Sequence, residues 1–140
     1  MHVSDLPAVY MLERRCQPDP WPPWFLRRLL RQGASCWVLE DNGEIVGFGV
    51  VSMIKHWAHI MNMCVAPGYR RRGLGRRLLL HLLTMAKLLH AHHAWLEVRP
   101  TNRPAILLYR NTGFRKKHIR KDYYHSRRGR QNAIVMARRL

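Results

Sequence analysis

The sequence predicts an α/β (α+β) domain in which one β-sheet is flanked by helices. Three observations carry this reading. Segments with strand alternation and segments with helical spacing succeed one another along the whole chain. The dipeptide Asn42-Gly43, the strongest short hairpin signal, joins two apolar runs. At 140 residues the chain has the length of a single domain, residues 1–140, able to bury roughly two-thirds of its unfolded surface.

The elements follow in order. Ser4 and Asp5 stand as N-cap candidates ahead of Pro7, so a helix begins almost at once. "PDPWPPWFLRRLLRQG" reads as a proline-rich loop and a short basic helix that Gly33 can stop. "CWVLEDNGEIVGFGVVSMI" gives two strands around the hairpin, and residues 57–65 a third, ended by Pro67-Gly68. Leu74, Leu78, Leu82, Met85 and Leu89 keep helical spacing, which predicts an amphipathic helix from Leu74 to about His90. "AWLEVR" is a short strand and "RPAILLYRNTG" a helix ended by Gly113. "FRKKHIRKDYY" and "AIVMARR" close the chain with two more strands. No repeat or linker interrupts this order.

Charge narrows the partners. The formal net charge is +17, and after Glu97 there are 13 Lys/Arg against one acid, Asp122. Such a balance attracts polyanions or anionic small molecules and says nothing about fold. Cys16, Cys36 and Cys64 form neither a disulfide framework nor a metal pattern, which fits a reducing compartment. The longest leucine run is too short to span a membrane and no secretory signal opens the chain. The expectation is a cytoplasmic protein with no membrane partner.

The segment "APGYRRRGLG" sets the functional question. A strand precedes it and an amphipathic helix follows, so Gly73 and Gly75 sit at a helix N-terminus. There, backbone N–H groups and the helix dipole suit an anion. No Gly-Lys-Ser/Thr follows, which excludes a Walker loop, and the third glycine of a dinucleotide fingerprint is missing. Taken alone, the pair of glycines fits a plain tight turn equally well.

Arg70-x-x-Gly73-x-Gly75 is followed at matching spacing by "WLEVRPTNRPAILLYRNTGF", "IRKDYY" and "AIVMA". With these motifs the chain resembles the GNAT superfamily, and within it the RimI-type ribosomal-protein alanine N-acetyltransferases, over residues 5–137. The resemblance implies the GNAT fold: a mixed, mostly antiparallel sheet of about six or seven strands, its first strand here short or absent. It also implies acetyl-CoA as cosubstrate, no metal, and direct attack by a protein N-terminal α-amine. The implied acceptor is the N-terminal alanine of a small-subunit ribosomal protein.

Carried over residue by residue, Met63, Cys64 and Val65 match the strand whose backbone bonds the pantetheine arm and the acetyl carbonyl. Arg71, Arg72, Gly73, Leu74, Gly75 and Arg76 match the pyrophosphate loop, and Asn102 a further coenzyme A contact. Glu97 matches the general base, Tyr109 the acid that protonates the leaving thiolate, and Tyr123 and Tyr124 positions near the acceptor peptide. Each residue also has a plain structural reading. For Asn102 it is an N-cap, for Glu97 a salt bridge to Arg99 or a loop arginine, for Tyr109 core packing, and for Tyr123 and Tyr124 an aromatic pair. His90, His92 and His93 lack a paired carboxylate or cysteine and read as a solvated helix end.

Two departures from the family stand out. Relatives carry acids just before the last strand, where this chain has Gln131-Asn132 behind "RRGR". The C-terminal third also holds more cations than a cofactor needs, which suggests contact with ribosomal RNA through residues such as Arg127, Arg128 and Arg130. The alternatives are a lysine or small-amine acetyltransferase of the same fold, or a basic RNA- or ribosome-binding protein.

Overall fold

A computed structural model describes residues 1–126 and 129–140; Arg127 and Arg128 lie outside the described residues. A 3₁₀ turn, Val3–Asp5, leads into α1 (Leu6–Cys16) and then α2 (Pro23–Arg31). The hairpin strands are β1 (Ser35–Asp41) and β2 (Glu44–Ile54), followed by β3 (Trp57–Val65). After α3 (Leu74–Leu88) come β4 (His93–Val98), α4 (Arg103–Asn111), β5 (Arg115–Ser126) and β6 (Gly129–Arg139). No strand precedes α1 among the described residues.

The hairpin forms as its dipeptide requires. Asn42 and Gly43 both take positive φ, 49° and 80°, and Asp41 pairs with Glu44 across a two-residue turn. Asp5 departs from the expected cap. Its carboxylate accepts from the His2 N–H at 2.7 Å and makes no capping bond to α1, because the 3₁₀ turn already carries the chain into the helix.

The six strands lie in the order β1-β2-β3-β4-β6-β5. Every pairing is antiparallel except β3 with β4. That parallel pair is short, running from Trp57↔His93 to Ile60↔Leu96. Beyond Ile60, β3 continues to Val65 still bonded to β2, so its other edge parts from β4 and a cleft opens.

Two cores cover the two faces. α3 buries Leu78, Leu79, Leu82 and Leu83 with Val51, Ile60, Leu96 and Met136. α1 and α2 bury Leu6, Val9, Leu12, Leu26 and Leu29 with Phe48, Val50 and Cys64. Leucines at helical spacing therefore meet alternating strand residues, as patterning requires.

One expectation fails here. Cys16 and Cys64 form a disulfide across 48 residues, with Cα atoms 6.3 Å apart, while Cys36 is free and buried. The end of α1 lies against the α1 face of β3, a juxtaposition that spacing in the sequence cannot reveal. The cysteines therefore do not point to a reducing compartment.

Candidate active site

The site begins with an irregularity in β3. Val51 pairs with Ile60 but Val50 pairs with Asn62, so Met61 is an extra residue, a β-bulge. Before it, Ala58 and Ile60 face α3. After it, Asn62 and Cys64 face α1. His59, Asn62 and Cys64 consequently share the face that β4 gives to Trp95, Glu97 and Arg99.

Glu97 sits on that face with only 6% of its side chain exposed. His59 Nε2 lies 2.6 Å from its Oε2, and Arg120 Nη1 donates to Oε1 at 3.4 Å. The His59 ring is stacked on Trp95, centroids 4.4 Å apart and planes at 1°. Burial alone would raise the Glu97 carboxyl, but the His59 hydrogen bond and charge, Arg120 and Trp95 together hold it below its ordinary value. The expected partner Arg99 is engaged elsewhere: it donates to His125 O and Gln131 Oε1, each at 3.1 Å, and covers the Tyr124 ring at 4.2 Å.

A cavity of about 480 Å³ opens beside Glu97 at the cleft between β3 and β4. Tyr109, from α4, is buried in the core and lines this cavity. Burial pushes its phenol up to about 12. Asn102 caps α4, accepting from Ala105 N at 3.3 Å, and also lines the cavity. Tyr123 and Tyr124 close it from β5, edge to face at 4.8 Å. A register shift between Arg120 and Tyr124 turns both rings inward. Burial raises both phenols, reinforced by the Glu97 charge and opposed by Arg120 at Tyr123 and Arg99 at Tyr124.

Met63 also lines the cavity; Cys64 and Val65 continue β3 along the open cleft edge, though Val65 O already accepts from Arg70 Nε at 3.2 Å. That bond ties the glycine loop to the strand. Gly73, at φ 75°, is the N-cap of α3 without a side-chain capping bond, and Arg77 N donates to Gly73 O at 3.0 Å to close the first turn. The amides of Leu74, Gly75 and Arg76 precede it and are available to an anion. At Gly75 an added Cβ would meet only Leu108 at 3.5 Å and Val65 at 4.0 Å, so packing within the chain does not demand glycine there. Arg71 turns through φ 62°, Arg72 packs on Tyr69 at 5.1 Å, and Arg76 is exposed in the first turn of α3. This loop fits a pyrophosphate.

His59, Arg120, Glu13 and Asn62 escaped the sequence reading. Glu13 is buried on α1 and accepts from Asn62 Nδ2 at 3.0 and 2.9 Å and from Trp21 N at 3.1 Å. Gln17 Nε2 donates to Asn62 Oδ1 at 3.1 Å. This cluster anchors the α1–α2 loop to β3 along the cavity wall, and desolvation raises the Glu13 carboxyl. The residue types were visible; the face they share exists only because of the bulge at Met61.

The model of the GNAT acetyltransferase family matches residues 6–114. The chain belongs to the GNAT acetyltransferases. This GNAT chain is 36% identical over 137 residues to the ribosomal protein bS18-alanine N-acetyltransferase of Escherichia coli strain K12, spanning 98% of this chain and 93% of that one. It is 33% identical to the enzyme of the same description from Haemophilus influenzae, over 98% and 94% of the two chains. The crystal structure of the Escherichia coli ribosomal-protein-S18-alanine N-acetyltransferase superposes with a TM-score of 0.93 at 35% identity, covering 100% of this chain and 90% of that one. The GNAT enzyme is thus an N-acetyltransferase with the fold expected of it. Among the described residues no group of three or more His, Cys, Asp or Glu could hold a metal, and no helix is long and apolar enough to cross a membrane.

Proposed function

We propose that this GNAT enzyme transfers the acetyl group of acetyl-CoA to a protein N-terminal α-amine, that of the N-terminal alanine of a small-subunit ribosomal protein. The observation that carries the reading is that Glu97 and Tyr109 line one cavity beside the unpaired edge of β3. The activity of its relatives, the bS18-alanine N-acetyltransferases, and the glycine loop support it.

Acetyl transfer to an amine requires a neutral nucleophile, a held carbonyl and a stabilised leaving thiolate. An α-amine titrates near 8 and a lysine near 10.4, so at pH 7.4 roughly a fifth of the first is neutral but about a thousandth of the second. Glu97, kept ionised by His59 and Arg120, is too weak a base to strip an ammonium ion efficiently. Its work is to orient the neutral amine and take the proton that becomes acidic as the nitrogen–carbon bond forms. The thioester breaks as that bond forms, without a covalent enzyme intermediate; Cys64 is bound to Cys16 and supplies no nucleophile. Tyr109, with its phenol near 12, stays protonated at every working pH. It donates a hydrogen bond to the departing sulfur, whose ordinary thiol value near 8.5 makes full proton transfer from this phenol uphill.

Gly73, Gly75 and the arginines at 71, 72 and 76 hold the pyrophosphate in this reading, and Asn102 lies on the cofactor side of the cavity. Tyr123, Tyr124 and the anchored α1–α2 loop flank the acceptor. The reaction is cytoplasmic, and the cationic segment after Glu97 meets ribosomal RNA. The test is acetyl-CoA turnover against a panel of N-terminal peptides, with N-terminally blocked, lysine-containing controls and the product located by mass spectrometry. Acetylation of the blocked lysine peptides alone refutes the assignment.

A further inference from the structure

α1 and α2 cover the sheet face only over β1 to β3. Across β4, β6 and β5 the same face is open as a groove of about 630 Å³. Trp57, Trp95, Val135 and Ala137 form its floor, and Lys55, Lys117, His118 and Arg120 its rim. The one carboxylate lining it, Glu97, is already engaged by His59 and Arg120.

The floor is built of stacked rings. His93 lies on Trp57 at 4.5 Å and 19°, Trp57 meets Trp95 edge to face at 5.9 Å, and Trp95 lies on His59. Trp57 ends this array with 40% of its surface exposed.

We propose that this groove is a docking site for single-stranded RNA. An acidic peptide would answer the cations and leave the rings unused, and an apolar peptide would do the reverse. A nucleotide chain presents π-faced bases and a regular line of phosphates, which is the pairing found in sequence-tolerant single-strand binders. The charge balance agrees: the five arginines at 70–72, 76 and 77 serve the glycine loop, and the groove cations lie apart from them on β5 and the β2–β3 turn. The inference deepens the ribosomal reading and rests on it only for the source of the RNA. Bound there, the RNA lies along the sheet face next to Glu97 and concentrates the enzyme where its acceptor is found.

The experiment measures binding of a fluorescein-labelled oligouridine 12-mer, and of an RNA duplex, to the intact protein between about 50 and 200 mM salt. Trp57→Ala is expected to weaken single-strand binding about 10- to 100-fold. Lys55→Gln with Lys117→Gln, at exposed positions that leave the core intact, is expected to lower the log–log salt slope by about 1.4. Duplex RNA bound as tightly as the single strand would overturn the stacking argument. So would Trp57→Ala leaving RNA affinity unchanged while raising the KM for an acceptor peptide, since the groove would then belong to the acceptor. Loss of all peptide turnover panels with RNA binding intact would instead refute the proposed reaction and leave the groove assignment standing.

Discussion

Replacing His59 by Phe isolates one bond. The phenyl ring can keep the stack on Trp95, now at 4.4 Å and 1°, while the 2.6 Å contact to Glu97 is lost. What remains on the carboxylate is Trp95 and Arg120, the latter at 3.4 Å and 52% exposed, a pair that solvent screens to little. A hydrogen bond to a charged group is worth about 1.5–3 kcal/mol. For a domain of this size that lowers Tm by about 4–10 °C at pH 7. The sign follows from Glu97. Its folded value lies below the unfolded one, so the stabilisation is present above the ordinary carboxylate range and fades as pH falls through the folded value. The gap in Tm between wild type and variant is therefore full at pH 7 and closes as pH falls through the lowered folded value of Glu97. His59→Gln, which retains a side-chain N–H, restores part of it. In the peptide assay the variant's kcat/KM should fall about tenfold, and its acid limb should move upward as Glu97 loses its partner. Thermal melts at pH 7, 5 and 4 with a pH–rate profile decide the matter. Equal melting temperatures throughout and an unmoved limb would refute the argument.

Glu97→Gln should lower kcat/KM by about 10²-fold, the loss shrinking at high pH where the acceptor amine deprotonates unaided; full activity at pH 7 removes Glu97 from the chemistry. Tyr109→Phe should lower kcat about 10- to 100-fold with acetyl-CoA affinity unchanged in calorimetry. Gly75→Asp should abolish acetyl-CoA binding in a folded protein, because its new Cβ meets neighbours only at 3.5 and 4.0 Å while its charge faces the pyrophosphate; unchanged affinity refutes the loop assignment. Glu13→Gln should cost about 1–3 kcal/mol in chemical denaturation, since whichever way the amide is turned its N–H₂ opposes Asn62 Nδ2, which now donates to both carboxylate oxygens.

Much of this was legible in the residues. Asn42-Gly43 specified the hairpin, the leucine spacing specified α3, and the glycine pair after a strand placed a helix N-terminus where one is found. Glu97 and Tyr109 stood out by residue type and motif. Their partners did not. Arg99, two residues along the strand on the same face, was the natural ion-pair candidate for Glu97, but it reaches across to Gln131 and His125. His59 and Arg120 arrive from strands 38 and 23 residues away. Glu13 reads as one polar residue on an amphipathic helix until Asn62 turns toward it, and the Cys16–Cys64 pair depends on that same turn. Contacts set by alternation were readable; those set by a break in alternation were not.

The extra residue at Met61 makes β3 a strand with a change of parity. Odd and even positions exchange the layers they serve, so tolerance to substitution should follow opposite rules on its two halves. Even positions at 58 and 60 demand small or aliphatic side chains for α3, whereas 62 and 64 carry the polar anchor and the sulfur bridge to α1. Deleting Met61 would restore regular pleating with Ile60 still opposite Val51 and Asn62 still opposite Val50, so each would keep its layer and the strand would lose only the local bend that the extra residue imposes. A chimera built from a relative must therefore align the two halves of β3 by the layer each residue serves, since a relative without the bulge matches this strand one residue out of step beyond it.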